Sequence, residues 1–424
     1  MGQYGGNDTQ EGVRQMTNKQ AAVQIVKGLR EAGFEALLAG GCVRDMLLGR
    51  RPNDYDVATD AKPDDVTKLF RRTLKVGAKF GVVVVLIDKV QVEVATFRTE
   101  SGYSDGRHPS KVRFTTAAED AARRDFTINA MFYDPIAKKV IDYYGGQADL
   151  KKRVIRTVGE PAERFSEDYL RMLRAVRFST QLGFAIGPKT REAICDGAKN
   201  ITKISGERIA AELEGILVSP NRAKGVQILV ETGLAGFIFS GCACCACPGA
   251  GFTVRLLAHL PARIDFPLGL ASLFAGFETR FALEKCELLK LSRNQNKQIA
   301  FLLDHRGKLL NEMSVSELRL LLSEPYFKDL FDLQKAIQKA SNQTIGPLVR
   351  LRRRINQLKG VELRPRPILN GHDLMALGAA PGPALGQLAK EMYIAQLEGK
   401  IHSAEQAKHW VEKWLEAHKT RDGV

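Results

Sequence analysis

The 424 residues contain no apolar run that approaches a membrane span. Val82 to Ile87, the longest purely apolar run in the N-terminal third, is only strand-length and closes at Asp88. The opening, Met1 to Gln10, is polar and Gly-rich and lacks a basic segment followed by an apolar one, so no secretory signal is expected. Gly6 stands where a myristoylation motif carries Ser or Thr. These absences leave the cytoplasm as the expected location and exclude a membrane as partner. Low-complexity tracts and internal repeats are missing as well. Cysteine is scarce and odd in number, at seven, and four of the seven crowd into Cys242-Ala-Cys244-Cys245-Ala-Cys247. Zinc sites usually pair two separated Cys-x₂₋₄-Cys knuckles, and no second Cys or His cluster answers this one. A reduced, oxidisable loop is the expectation there. Neither His372 nor the other histidines have metal-ligand spacing.

What the sequence does have is positive charge. Sixty-three Lys and Arg against 48 Asp and Glu give a net charge of +15. Such a surplus suits a polyanionic partner, because basic side chains that neutralise phosphates release condensed counterions. Nothing in the chain implies a protein partner.

The length exceeds one compact core and predicts several domains. Up to about Gly146 the pattern alternates. Helices are read over Thr17–Ala32, Val43–Leu48 and Asp64–Arg72, and strands over Glu35–Ala39 and Tyr55–Thr59. Val82–Ile87 and Gln91–Arg98 form a hairpin around Asp88-Lys89. From Ala162 the strand signal disappears. Ser166–Leu182, Lys189–Ala198, Ser205–Leu217 and Asn221–Thr232 all carry helical periodicity, punctuated by Gly or Pro. Arg364-Pro-Arg-Pro367 marks a last boundary. The polar segment Thr99–Arg113, with two glycines and a proline, reads as a mobile loop.

Two short patterns carry chemistry. In Leu38-Ala-Gly40-Gly41-Cys-Val-Arg44-Asp45 a strand runs through two glycines into a helix. Backbone N–H groups without a Cβ nearby can approach a phosphate, the helix start favours an anion, and Arg44 can grip it bidentately. No Gly-Lys-Ser/Thr follows, so this is not a P-loop. Ten residues on, Asp54-Tyr-Asp56-Val-Ala-Thr sets two carboxylates at i and i+2, which share one face of a strand. Such a pair repels itself unless a divalent cation bridges it. Two Mg²⁺ ions are the usual device for activating a hydroxyl and stabilising a leaving pyrophosphate.

In order and spacing, these patterns continue with Arg123-Arg124-Asp125-Phe-Thr-Ile-Asn129-Ala and Asp142-Tyr-Tyr-Gly145-Gly146-Gln-Ala-Asp149. Glu167-Asp168-Tyr-Leu-Arg171-Met-Leu-Arg174-Ala-Val-Arg177-Phe follows, then Gly206-Glu-Arg208-Ile-Ala-Ala-Glu212. Over about Leu37 to Leu217 the chain resembles the class II tRNA nucleotidyltransferase and bacterial poly(A) polymerase family, within the DNA polymerase β-like nucleotidyltransferases. The resemblance implies an α+β fold: an N-terminal head with a small mixed β-sheet over residues 1–150, then an all-helical neck (151–220), body (221–360) and RNA-binding tail (361–424).

It further implies Mg²⁺ as cofactor, with Asp54 and Asp56 as catalytic metal ligands and Glu93 as the third carboxylate on a neighbouring strand. Gly40, Gly41 and Arg44 would hold the triphosphate, and Arg124, Asp125 and Asn129 the ribose and phosphates. Asp168 and Arg171, neighbours at i and i+3 on the expected helix, would read the base in place of a template. Asp accepts from the amino group of cytosine or adenine while Arg donates to the ring acceptor; uracil and guanine reverse that order. ATP, CTP and tRNA are the implied partners. Arg174 and Arg177 continue the stripe, as packing or as substrate contacts. Glu207, Arg208 and Glu212 would brace the base-reading helix. Gly77-Ala78-Lys79-Phe80 departs from the doubly basic signature of poly(A) polymerases, which favours CCA addition to tRNA. The alternatives are poly(A) tailing, A-only addition to tRNA, and, in a different class, a non-catalytic RNA-binding relative.

Overall fold

The computed structural model describes residues 16–75, 81–103, 109–239 and 250–419. The Gly77–Phe80 signature and the Cys242–Cys247 run lie outside them. Two compact units partition the chain, Met1–Ala246 and Cys247–Val424.

The first unit starts with α1 (Asn18–Glu31), whose N-cap Thr17 and Gln20 form a reciprocal capping box. Its apolar stripe, Ala21, Ala22, Ile25, Val26 and Leu29, is buried against β1 (Ala36–Ala39). There follow α2 (Gly41–Leu47), β2 (Asp56–Thr59), α3 (Pro63–Leu69), β3 (Thr73–Leu74), β4 (Val82–Ile87) and β5 (Val90–Thr96). The β4–β5 hairpin turns at Asp88, which takes a left-handed φ of 54°. Next come β6 (Arg98–Tyr103), β7 (Pro109–Phe114), α4 (Ala117–Ala122), β8 (Met131–Asp134), β9 (Lys139–Asp142) and α5 (Gly146–Lys152). Seven strands make one sheet in the order β3-β4-β5-β2-β1-β8-β9. Only β2 and β5 run parallel; every other neighbouring pair is antiparallel. This is the expected mixed sheet. All four residues of β1 are buried, so the central strand reads as an unbroken apolar run rather than an alternating one. Opposite α1, Leu37, Ala39, Phe97, Ala121 and Phe132 close a second core.

Three expectations need correction. Thr99–Arg113 is not a free loop in its described part: β6 and β7 pair antiparallel, with Thr99 opposite Arg113. The ribbon lacks apolar alternation in sequence, so its pairing rests on backbone hydrogen bonds that leave no periodic trace. The strand signal does not vanish at Ala162 either. β10 (Val154–Ile155) pairs in parallel with a later two-residue strand, β11 (Ala185–Ile186), too short to show a period. And Ser166–Leu182 is not one helix but two: α6 (Pro161–Glu167) stops before Asp168, and α7 (Leu170–Leu182) starts after it. Asp168 is extended, at φ −153°, and its carboxylate accepts the Leu170 N–H at 3.0 Å, drawing that donor out of a continuous helix. α8 (Pro188–Gly197), α9 (Gly206–Leu217), α10 (Arg222–Glu231) and α11 (Leu234–Ile238) complete the unit.

The second unit is helical. It runs α12 (Ala250–His259), α13 (Phe266–Leu273), α14 (Thr279–Leu288), α15 (Arg293–Asp304), α16 (Val315–Leu322), α17 (Phe327–Ala340) and α18 (Gly346–Gln357). Every residue of α13 is buried, as expected of a central helix that is apolar all round. α19 (Gly371–Ala376), α20 (Pro383–Leu397) and α21 (Ala404–Lys419) gather a separate small core from Leu374, Leu388, Met392 and Val411. Among the described residues no helix is long and apolar enough to cross a membrane.

Candidate active site

The chemistry-bearing residues converge on one open cavity of about 880 Å³ in the first unit. Its lining includes Gly40, Gly41, Arg44, Asp54, Asp56, Arg124, Asp125 and Asn129 from the sheet domain. Asp168, Arg171, Arg174 and Arg177 enter from the helices that follow. Of the residues expected from sequence to bind metal or nucleotide, only Glu93 is not in that lining.

Asp56 opens β2, opposite Ala39 of β1, and Asp54 lies one alternation earlier, just ahead of the strand. The parallel register pairs Val57 with Val94, which sets Glu93 beside Asp56 on the neighbouring strand. Asp56 touches solvent, but the protein around it pushes its carboxyl up to about 6, and the charge on Glu93 adds to the rise. Arg124 opposes that rise and Asp54 contributes to it. The three acids thus repel one another, which is the electrostatic condition a divalent cation relieves. Among the described residues no three His, Cys, Asp or Glu side chains form a preassembled metal cage. A carboxylate pair in an open cleft offers oxygen donors and room, which suits a hard cation that keeps water and substrate phosphate among its ligands.

The opposite wall is basic and tightly braced. Asp120, buried in α4, accepts from Arg123 at 2.7 Å and from Arg124 at 3.0 Å. Burial pushes the Asp120 carboxyl up, but Arg124 and Arg123 outweigh it and leave it below the ordinary range. Arg124 also donates to the Asn129 carbonyl at 3.2 Å and covers the Phe132 ring. Asn129 sits in a single 3₁₀ turn, Thr127–Asn129, and links two charged groups. Its Oδ1 accepts from Arg44 at 2.7 Å and its Nδ2 donates to Asp125 at 3.1 Å. Asp125 in turn takes both Nε and Nη2 of Arg174, at 2.8 and 2.6 Å. Burial alone would raise its carboxyl; Arg174, Asn129 and the Phe126 N–H bring it below the ordinary value. Asp125 likewise holds the Arg174 guanidinium above its ordinary value.

Gly40 is needed for more than an open N–H. Its φ is 74°, and a Cβ there would stand 2.8 Å from Arg124 Nη1. Its own N–H is committed to the Met131 carbonyl at 3.1 Å, so of the two glycines only Gly41 can offer the amide foreseen from sequence. The Asp142–Asp149 motif works one layer out. Asp142 accepts the Gly146 and Gln147 N–H groups, both at 2.9 Å, and Asp149 accepts from Thr127 Oγ1 at 2.6 Å, fixing the turn that carries Asn129.

Asp168 and Arg171 share the cavity but are not paired on a helix face, because the helix breaks between them. Asp168 Oδ2 accepts from Arg208 at 2.6 Å. Arg171 is bound by Glu167 and donates to the Arg164 carbonyl at 2.8 Å. An i,i+3 salt bridge, the plain alternative for this pair, is therefore absent. Arg174 and Arg177 are both packing and cavity residues. They lie over Phe178 at 5.4 and 4.4 Å, with Arg44 at 5.2 Å, and Glu212 accepts from Arg177 at 2.6 Å. Of the last motif, Arg208 holds Asp168 and Glu212 holds Arg177 on α7. Asp120 escaped the sequence reading, although its i,i+3 and i,i+4 spacing to Arg123 and Arg124 is the signature of such a clamp.

A carboxylate pair facing a basic wall, on a small mixed sheet followed by helices, defines a nucleotidyltransferase. Profiles of the poly A polymerase head domain and of the probable RNA and SrmB-binding site of polymerase A match residues 36–156 and 183–245. The CCA-adding enzyme of Lactobacillus johnsonii is 35% identical over 398 residues, covering 91% of this chain and 95% of that one. That of Geobacillus stearothermophilus is 34% identical over 420 residues, covering 95% and 98%. The crystal structure of the Bacillus stearothermophilus CCA-adding enzyme in complex with CTP superposes with a TM-score of 0.77 at 31% identity, over 96% of this chain and 99% of that one. The chain belongs to the family of CCA-adding enzymes.

Proposed function

We propose that this protein completes the 3′ end of tRNA, adding CMP, CMP and AMP from CTP and ATP without a template and releasing pyrophosphate. The single observation behind the proposal is that one cavity unites the carboxylate pair, the braced arginines and Asp168 with Arg171. In this reading Gly41, Arg44 and Arg124 bind the triphosphate. Asp125 and Asn129 hold the arginines at fixed spacing and meet the ribose. Asp168 accepts from the base amino group, kept in place by Arg208, and Arg171 donates to the ring acceptor, kept in place by Glu167. Separate anchors let both side chains face one base instead of neutralising each other. Uracil and guanine would set carbonyl against carboxylate, and unmatched buried polar groups reject strongly.

Asp54 and Asp56 are the ligands for Mg²⁺, with Glu93 as the third acid beside them. Bound there, Mg²⁺ would favour the ionised 3′-hydroxyl and stabilise the charge of the departing pyrophosphate. We divide the chain into head (1–150), neck (151–220), body (221–360) and tail (361–424), although residue 150 falls inside α5 and the head more naturally ends with that helix. In the body, ahead of the tail, α18 exposes Arg350, Arg352 and Arg353, whereas Arg354 donates to the Met313 carbonyl at 2.7 Å. The exposed three suit sequence-independent contact with RNA phosphates.

The experiment is nucleotide incorporation with Mg²⁺ on tRNA ending at the discriminator base, at C and at CC, and on unstructured RNA, with Asp54→Ala/Asp56→Ala as blank. Three additions to the bare tRNA, from CTP and ATP only, are expected. A long A tail on the unstructured RNA would make it a poly(A) polymerase, and addition of A alone to the CC-ended tRNA would make it the second half of a two-enzyme system.

A further inference from the structure

A second depression lies against the segment that carries the carboxylates. Asn53 and Tyr55 line it, whereas Asp54 and Asp56, the alternating residues, line the nucleotide cavity. The segment therefore separates two spaces. This second space, of about 1610 Å³, joins a neighbour of about 550 Å³ through the shared walls Lys19, Arg51, Pro52 and Tyr55. The Asn18 amide donates to the Asn53 carbonyl at 2.9 Å, fastening the start of α1 to the segment. Four exposed cations rim the groove: Lys19, Arg50, Arg51 and Lys89. None of them is in an ion pair among the described residues, and the one acid in the described lining is Asp88. At its far end Gln91 lies one alternation from Glu93 on β5, so the groove reaches the face that carries the third acid.

We propose that this groove holds the phosphodiester backbone of the RNA strand whose 3′-hydroxyl is extended. The inference rests on the nucleotidyl-transfer reading above. In-line displacement requires the attacking oxygen and the leaving pyrophosphate on opposite sides of the α-phosphorus. The bond from the 3′-oxygen to the α-phosphorus forms as the bond from that phosphorus to the bridging oxygen breaks; the electron pair leaves with pyrophosphate and the hydroxyl proton passes to solvent water. With the triphosphate against Arg44 and Arg124, the strand must arrive from across Asp54 and Asp56, where the unpaired cations stand. Lysines and arginines of this kind hold phosphates and set register without reading sequence, as an enzyme that extends successive 3′ ends requires.

The test is the combined variant Lys19→Ala/Arg51→Ala/Lys89→Ala, compared with the parent enzyme and with the charge-preserving Lys19→Arg/Arg51→Lys/Lys89→Arg. Binding of tRNA lacking its terminal CCA is measured at graded salt, and KM is measured for that RNA and for CTP. The alanine variant should raise the RNA KM about tenfold or more, and lower the slope of log affinity against log salt by about two, at roughly 0.7 per single-strand phosphate contact. KM for CTP should stay at the parental value, and the charge-preserving variant should behave as the parent. An unchanged RNA KM and slope in the alanine variant would overturn the proposal. So would loss of RNA binding in the charge-preserving variant, or relief of pyrophosphate product inhibition with RNA binding intact. If the parent itself adds neither CMP nor AMP, the reading of the site fails; if it adds them and the alanine variant grips RNA normally, the groove alone fails.

Discussion

At the scale of single residues, the site is an arrangement of charges that would not coexist without one another. Asp120, buried, and Asp125, nearly so, are acids held ionised by arginines, whereas the surrounding protein, and then the charges of Glu93 and Asp54, push Asp56 the opposite way, to about 6. The sign has a consequence. A carboxyl whose folded pKa lies above its ordinary 3.8 favours the proton in the folded state, so it weakens the metal-free fold at neutral pH. That weakening is relieved as pH falls through about 6 towards 3.8. Melting of EDTA-treated protein between pH 8 and 5 should show this gain, and Asp56→Asn should abolish it and raise stability at pH 8. Persistence of the same pH trend in Asp56→Asn would assign it to another group. At the proposed metal site the same proton would compete with Mg²⁺, so activity at fixed Mg²⁺ should drop below about pH 6 and recover as Mg²⁺ is raised. Asp56→Asn, stabilising or not, should cut kcat by about 10³-fold or more, since it removes a proposed metal ligand worth several kcal/mol at the transition state.

At the scale of elements, the break between α6 and α7 matters most. A continuous helix would bring Asp168 and Arg171 together; the break hands Asp168 to Arg208 and Arg171 to Glu167. Arg208→Ala should therefore weaken CTP and ATP together, raising both KM values by about 10- to 100-fold, the range of one charge-assisted hydrogen bond. Discrimination against UTP should fall with them, and Arg208→Lys should recover part of it. An equal loss of kcat without change in KM or selectivity would place Arg208 elsewhere in the mechanism. Gly146 tests the next layer: a Cβ there would stand 2.3 Å from the Thr127 carbonyl, a backbone atom that cannot step aside. Gly146→Ala should destabilise the first unit by about 1–3 kcal/mol in urea unfolding, as overpacking does. It should also disturb Asn129 and with it the KM for nucleotide.

Much of this was legible in the sequence because its signals are local. The capped helix after Thr17, the β4–β5 hairpin and the Asp54/Asp56 alternation each follow from the period of an element. The ribbon of β6 and β7 and the kink at Asp168 were not legible. Their causes are backbone pairing without an apolar face and a side chain that competes for a helix N–H. The pairings Asp125–Arg174 and Asp168–Arg208 span 49 and 40 residues, and no spacing rule reports contacts that only the fold creates.

At the scale of the whole molecule, the net charge of +15 is distributed to a purpose that pairwise bonds do not exhaust. The arginines of the nucleotide cavity are mostly spoken for: Arg123, Arg124, Arg171, Arg174 and Arg177 each have a carboxylate within the same unit. Lys19, Arg51 and Lys89 in the first unit and the exposed Arg350, Arg352 and Arg353 of α18 in the second stand open to an outside polyanion. The two substrates should therefore respond differently to salt. RNA meets the open cations over many phosphates, each releasing counterions, and its KM should climb steeply between about 50 and 200 mM salt. CTP offers one triphosphate to a wall whose arginines are already paired with carboxylates, so fewer counterions are released, and its KM should rise only a few-fold over the same range. Steady-state kinetics with each substrate varied in turn checks this directly. If the KM for CTP rose as steeply as that for RNA, the cavity arginines would have to be counted among the open charges. The division between a braced nucleotide wall and an open RNA surface would then be lost.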